Sequence, residues 1–249
     1  MQQVRVNQVF LKFQMQTMIQ GQSVYCDDLA IVYHGDGLHL IENLTFDAVV
    51  TDPPYGYRMY KHDLPVPIEY WEHLLNERKV KLAIFGYPEE LSWTAGQLGK
   101  PDEWVTWWPT NLFGRRSQLM RTSQAIAVWG DDLNRKAVRE PRSDNPAGKA
   151  IAKLRGNETE TRTAGDVWRD FSPCSGMRPQ NRQKHPNEKP VSLMEKILTL
   201  INANNICDPF CGRGSTLIAA KQMGLKSIGI DVDPACCKTA AGRLREVML

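Results

Sequence analysis

No apolar run in this 249-residue chain approaches 18 residues, and the opening MQQVRVNQVF lacks the basic-then-apolar layout of an export signal. A membrane-spanning helix and secretion are therefore not expected, and the reading is a cytoplasmic protein. An excess of one charge is missing too: a net charge of +3 with 24% charged residues leaves room for a polyanionic partner without demanding one. The six cysteines, Cys26, Cys174, Cys207, Cys211, Cys236 and Cys237, form no C-x-x-C pair and have no histidine pair nearby, so no metal site is expected. They read as small reduced side chains, mostly buried, and none is cast as a nucleophile. A glycine is missing as well. Gly212 and Gly214 are followed by Ser215, Thr216 and Leu217, which leaves a dinucleotide-type G-x-G-x-x-G incomplete.

The length and 42% hydrophobic content suffice for one large domain with a substantial core. Residues 1–22 hold seven glutamines and read as an N-terminal arm, with Met15 or Met18 as alternative starts. Residues 23–249 form the main domain. Val24-Tyr25 and Ala30 to Tyr33 predict a hairpin, Leu38 to Leu44 a short helix, and Phe46 to Thr51 a buried strand. Residues 57–67 are too irregular for an element and predict a loop over a pocket. Helices are expected at 68–76 and 89–98, and strands at 80–85, 104–107 and 125–129. Residues 131–166 carry charge, Pro141, Pro146, Gly148 and Gly156 with little periodicity, and read as a basic insertion. From Val191 the pattern alternates: helix 191–202, strand 205–208, helix 215–223, strand 226–230, helix 235–247. Such alternation predicts an α/β fold with a mostly parallel sheet covered by helices on both faces.

Two strand ends carry the chemistry. Asp52-Pro53-Pro54-Tyr55 follows the first buried strand. There Asp52 and the Pro53 carbonyl can accept the two N–H groups of an exocyclic amine, and Tyr55 offers an aromatic face for stacking. The prolines fix the backbone on either side, so the acceptors stay aimed outward. Asp208-Pro209-Phe210-Cys211-Gly212-Arg213-Gly214 follows a second strand about 150 residues later, and its glycines permit close backbone approach to a nucleoside. Asp231, at the end of the next strand, is placed to bond ribose hydroxyls. Ligands in such sheets sit beyond the carboxyl ends of the strands, so the two motifs can share one rim.

Four signals occur in order: Tyr33-His34-Gly35-Asp36, D-P-P-Y, His185-Pro186-Asn187-Glu188-Lys189-Pro190, and the glycine loop with Ile228-Gly229-Ile230-Asp231. With these blocks the chain resembles the amino-methylating DNA methyltransferases of the β class, in which a circularly permuted order puts D-P-P-Y before the glycine loop. The resemblance spans most of residues 24–130 and 166–247. It implies a Rossmann-like methyltransferase domain over 23–249 and S-adenosyl-L-methionine as cofactor. Asp208, Phe210, Gly212 and Gly214 would surround the methionine and sugar, Ser215 would also belong to the cofactor site, Asp231 would take the ribose, Asp36 would approach the adenine amino group, and Lys189 would meet the cofactor's carboxylate. Asp52, Pro53, Pro54 and Tyr55 become the catalytic residues. Arg213 departs from the family, which commonly has a small residue there.

The implied partner is DNA. Cations concentrate in the middle third, with Arg115, Arg116, Arg135, Lys136, Arg139 and Arg142 as candidate phosphate contacts and 131–166 as the candidate target-recognition region. Asp rather than Ser at the head of the motif associates the chain with adenine N6. Cytosine N4, an RNA target and a catalytically silent DNA-binding protein stay open as alternatives. The sequence does not choose between monomer and homodimer, and no partner endonuclease is visible in it.

Overall fold

A computed structural model describes residues 22–56, 64–108, 123–141, 161–169 and 188–248, together with 150, 153 and 154. Its centre is a nine-stranded sheet. The strands are β1 (Gln22–Cys26), β2 (Ala30–His34), β3 (Ala48–Thr51), β4 (Lys81–Gly86), β5 (Glu103–Trp107), β6 (Gln124–Trp129), β9 (Val167–Trp168), β10 (Asn205–Asp208) and β11 (Lys226–Asp231). Their order is β1-β2-β11-β10-β3-β4-β6-β5-β9. Strands β2, β11, β10, β3 and β4 pair in parallel, while β1 and β6 run against their neighbours. A separate ribbon pairs β7 (Arg139–Pro141) with β8 (Thr161–Thr163).

Burial on both faces explains why the strands read as continuous apolar runs. All four residues of β3 are buried. Ala48 and Val50 pack with helix α4 (Val191–Ile201), whose Leu193, Met194, Ile197, Leu198, Leu200 and Ile201 form its buried stripe. Val49 points to the other face and packs with α1 (Gly37–Leu40), α2 (Ile68–Glu72) and α3 (Pro88–Leu98). Helices α5 (Ser215–Gln222) and α6 (Pro234–Glu246) cover β2. Helix α6 starts where a capping aspartate and a first-turn proline coincide, with Asp233 accepting from Ala235 N at 2.8 Å ahead of Pro234.

Several boundaries differ from expectation. The helix expected at 68–76 is α-helical only to Glu72 and widens into a π-type turn at His73–Glu77. The helix expected at 38–44 is a short α1 that tightens over Ile41–Asn43. Strand β9 pairs in parallel with β5 at the sheet edge and was not anticipated, because two residues carry no readable period. Leu133 and Val138, within the stretch read as an insertion, are buried in the core, and Asn134 N bonds Leu200 O at 2.8 Å.

This topology positions a site. The chain leaving β10 turns through α5 to β11 on one side, and the chain leaving β3 passes through α2 to β4 on the other. The strand order therefore reverses between β10 and β3. A crevice opens at that switch point, outside the carboxyl ends of the two strands.

Candidate active site

The two motifs flank the crevice on adjacent strands. Ile206 and Cys207 of β10 pair with Ala48 and Val49 of β3, so Asp208 and Asp52 emerge side by side. A cavity of about 810 Å³ lies over them, and its lining includes Asp36, Asp52, Tyr55, Lys189, Phe210, Arg213, Ser215 and Asp231. Of the loop expected at 57–67, residues 57–63 lie outside the described residues; Leu64, Pro65, Val66 and Pro67 line the cavity.

Asp208 is a buried knot rather than an open ligand group. Its Oδ1 accepts from Thr51 Oγ1 at 2.7 Å and from Phe210 N at 3.3 Å, and its Oδ2 accepts from Thr216 Oγ1 at 2.6 Å. Burial pushes its carboxyl up to about 6; the hydroxyls of Thr216 and Thr51 work against that shift, and the charge of Asp231 adds to it. One side chain thereby ties β3, the glycine loop and α5 together. Neither Thr51 nor Thr216 was singled out from sequence.

The glycine loop folds back on β11. Cys211 N bonds Ile230 O at 2.9 Å, and Gly212 N donates to Asp231 Oδ2 at 2.7 Å. The other oxygen of Asp231 accepts from Asp233 N at 2.8 Å. Gly214 adopts φ +80°, and a Cβ there would lie 2.9 Å from that of Ala240, so glycine lets the loop pack on α6. Gly37 allows a similar approach, because a Cβ would fall 2.2 Å from Pro209 O. Asp36 caps α1 by accepting from Leu38 N at 2.9 Å.

On the other side, Asp52 receives two donors. The Tyr55 hydroxyl donates to Oδ1 and the Lys189 ammonium to Oδ2, the latter at 2.5 Å. Burial, followed by the neighbouring Asp52 charge, pushes the Tyr55 phenol well above its ordinary value, so this hydroxyl stays a donor. The Tyr55 ring sits 5.5 Å from that of Tyr87, tilted by 51°. Lys189 is 7% exposed, and its ammonium lies 5.5 Å from the ring centre of Phe85 and 5.9 Å from that of Trp107. The reading from resemblance set Lys189 against the cofactor's carboxylate; the structure sets it against Asp52.

The basic candidates separate. Arg135 is engaged by Glu103, Arg139 donates to Thr161 Oγ1 at 3.2 Å and to Thr161 O at 2.9 Å across the ribbon, and Lys136 is exposed. Arg115, Arg116 and Arg142 lie outside the described residues. Among the described residues no cluster of three or more His, Cys, Asp or Glu could hold a metal, and no helix is long and apolar enough to cross a membrane. Burial pushes the thiols of Cys236 and Cys237 up to about 12 and 11, which keeps them protonated.

A match to known sequences decides the family. The pattern of the DNA methylase family, covering N6 and N4 methyltransferases, fits residues 114–242, just over half of the chain. The chain belongs to the DNA methylase family. The matched span contains the glycine loop and Lys189, while Asp52 lies before it. Across nearly the whole chain, the Type II methyltransferase M.ScaI of Streptomyces caespitosus is 26% identical, covering 90% of this chain and 84% of its own. The Type II methyltransferase M2.LlaDCHI of Lactococcus lactis subsp. cremoris is 25% identical, over 92% and 94%. The fold is shared with the M1.HpyAVI complex with S-adenosylmethionine, at TM-score 0.59 and 22% identity over 87% of this chain and 99% of that one. It is shared also with the PvuII DNA methyltransferase, described as cytosine-N4-specific, at TM-score 0.60 and 15% identity over 92% and 90%. As a member of that family, the chain is a DNA-methylating enzyme. The residues fit S-adenosylmethionine, the cofactor that the resemblance implies: Ser215 Oγ is a buried polar atom with no hydrogen-bond partner on the cavity wall, and Asp231 stands at the end of β11 as a ribose acceptor would.

Proposed function

We propose that the chain methylates the exocyclic N6 of adenine in DNA, with Asp52-Pro53-Pro54-Tyr55 as the base half-site and the glycine loop with Asp231 and Asp36 as the cofactor half-site. The reading rests chiefly on the placement of Asp52 beside the glycine-loop strand, with both half-sites opening into one cavity. S-adenosylmethionine supplies, when bound, a methyl group on a positively charged sulfur. Everything else falls to the protein. Tyr55 offers its ring to a base turned out of the duplex, a contact worth roughly 1–3 kcal/mol, which offsets unstacking of a few kcal/mol. Asp52 and the Pro53 carbonyl accept the two amino protons, bias the nitrogen toward sp³ and stabilise the positive charge that forms on it. Asp52 can free an acceptor site when Tyr55 rotates its neutral hydroxyl away, while Lys189 keeps the carboxylate oriented from the other side.

Digesting DNA methylated by the pure protein to nucleosides and resolving them by mass tests the target. N6-methyladenine is the expected product. A dominant N4-methylcytosine peak would overturn the adenine assignment and leave the shared mechanism standing.

For DNA contact, we infer that Lys136 and Arg139 meet phosphates near the β7–β8 ribbon, with Arg142 kept as a candidate from the sequence alone. Arg135 contributes less, because Glu103 already holds it. Neutralising all four should flatten the slope of log K against log salt by about 2 to 3, at roughly 0.9 per contact. An unchanged slope would mean that these cations face solvent.

A further inference from the structure

The sheet edge beyond β6 carries an exposed aromatic and cation pair outside the cavity. Strand β4 is parallel to β3, β6 runs against β4, and β5 runs against β6, so β5 points the same way as β3; β9 lies parallel to β5. Trp108 follows β5 and Arg169 follows β9, and both therefore stand on the rim from which Asp52 emerges. The link to the base half-site is short. Trp107, the residue before Trp108, has its ring centre 5.9 Å from the Lys189 ammonium that bonds Asp52.

The scaffold under the pair is fixed, and the pair itself is open. Trp107 and Trp168 face each other in register and are 6% and 2% exposed. Thr106 N bonds Asp166 O at 2.7 Å, Trp108 N bonds Trp168 O at 2.9 Å, and Trp168 Nε1 donates to Gly165 O at 2.8 Å. One residue further along each strand, Trp108 is 44% exposed and Arg169 is exposed, with the guanidinium carbon 4.7 Å from the Trp108 ring centre. Arg135, Arg162, Arg213 and Arg243 each meet a carboxylate, whereas Arg169 forms no ion pair among the described residues. A guanidinium stacked on an indole keeps its N–H edge free for a phosphate, and the ring restricts where that edge points.

Charge and distance say what fits there. The cavity wall carries Asp36, Asp52 and Asp231, which repel a phosphate backbone, so a polyanion needs its cation outside the cavity. Strand β5 is three strand steps from β3, and β9 is four. At about 4.8 Å per step this is roughly 14–19 Å. With a rise of about 3.4 Å per nucleotide, the pair stands about four to six base pairs from a base seated at Asp52.

We propose that Trp108 and Arg169 form a docking point for the duplex that flanks the target base, Arg169 on a phosphate and Trp108 packed on the neighbouring deoxyribose.

The proposal rests on DNA as the substrate. It is tested by the affinity for a duplex carrying a site that the wild type methylates, measured over a range of salt with S-adenosylhomocysteine present to prevent turnover. Arg169→Gln should weaken binding about three- to tenfold and flatten the slope of log K against log salt by roughly 0.9, the share of one phosphate. Trp108→Leu should weaken binding about three- to thirtyfold at an unchanged slope, because the contact that it removes is apolar. Both variants should bind S-adenosylhomocysteine within about twofold of wild type, which reports an intact fold and separates docking from the cofactor half-site. Unchanged duplex affinity in both variants, or a loss confined to one of them, would overturn the paired site. No duplex binding by the wild type would sink the proposal together with the DNA reading, so the two failures are distinguishable.

Discussion

Asp52→Asn should slow methyl transfer by roughly two to three orders of magnitude while leaving S-adenosylmethionine affinity within about threefold of wild type. The separation follows from the two half-sites. Asp52 bonds Tyr55 and Lys189, whereas the glycine loop is held by Asp231, Asp208 and the backbone of β11. Asn keeps the shape and one acceptor but loses the negative charge that stabilises the nitrogen as it becomes positive. Asn is also a better probe than Ala. Removing the carboxylate altogether would leave the 7%-exposed ammonium of Lys189 without its partner, a change of the kind that costs about 3–5 kcal/mol. Single-turnover rates with labelled methyl donor, set beside calorimetric affinity, read the two properties separately. Retention of more than about a tenth of wild-type rate, a loss under 1.4 kcal/mol, would remove Asp52 from the chemistry.

The sequence was legible where structure is local or two-sided. Strand β3 reads as a buried strand because all of its residues are buried, and β10 and β11 read likewise. Helix α4 reads from the spacing of Leu193, Met194, Ile197, Leu198 and Ile201. Both motifs could be placed at strand ends for the same reason. Contacts between segments distant in sequence were not legible. Lys189 lies 137 residues from Asp52, and Thr51 lies 157 from Asp208; no local pattern says that these side chains meet. Arg213 read as a departure from the family, and only the packing of α6 against the loop makes sense of it through Glu188 and Arg243. The widened end of α2 follows the same logic. His73 is held between Glu77 and Glu42, so a contact with the chain near α1 accompanies a local propensity that would otherwise continue the helix.

The buried carboxyl of Asp208 should make the fold weaken with rising pH over a defined window. In the folded protein it holds its proton to about pH 6, against an ordinary value of 3.8. Between those values the folded state binds more protons than the unfolded chain, so stability falls as pH rises through the window and levels off above it. A shift of about 2 units corresponds to roughly 3 kcal/mol. Asp208→Asn removes the titration while keeping an acceptor for Thr51 and Phe210, and its amide can donate to the Thr216 hydroxyl. The stability of Asp208→Asn minus that of wild type should therefore grow in favour of the variant by about 3 kcal/mol between pH 3 and 7. By midpoint temperature this is about 6–12 °C for a chain of this size. Taking the difference cancels groups that titrate alike in both proteins, provided that they are not coupled to Asp208. Asp231 is the charge to watch, because it raises the Asp208 carboxyl and its own surroundings change when that charge is removed. A flat difference across the window, or one that shrinks as pH rises, would mean that the three hydrogen bonds outweigh burial and that Asp208 is an ordinary ionised carboxylate.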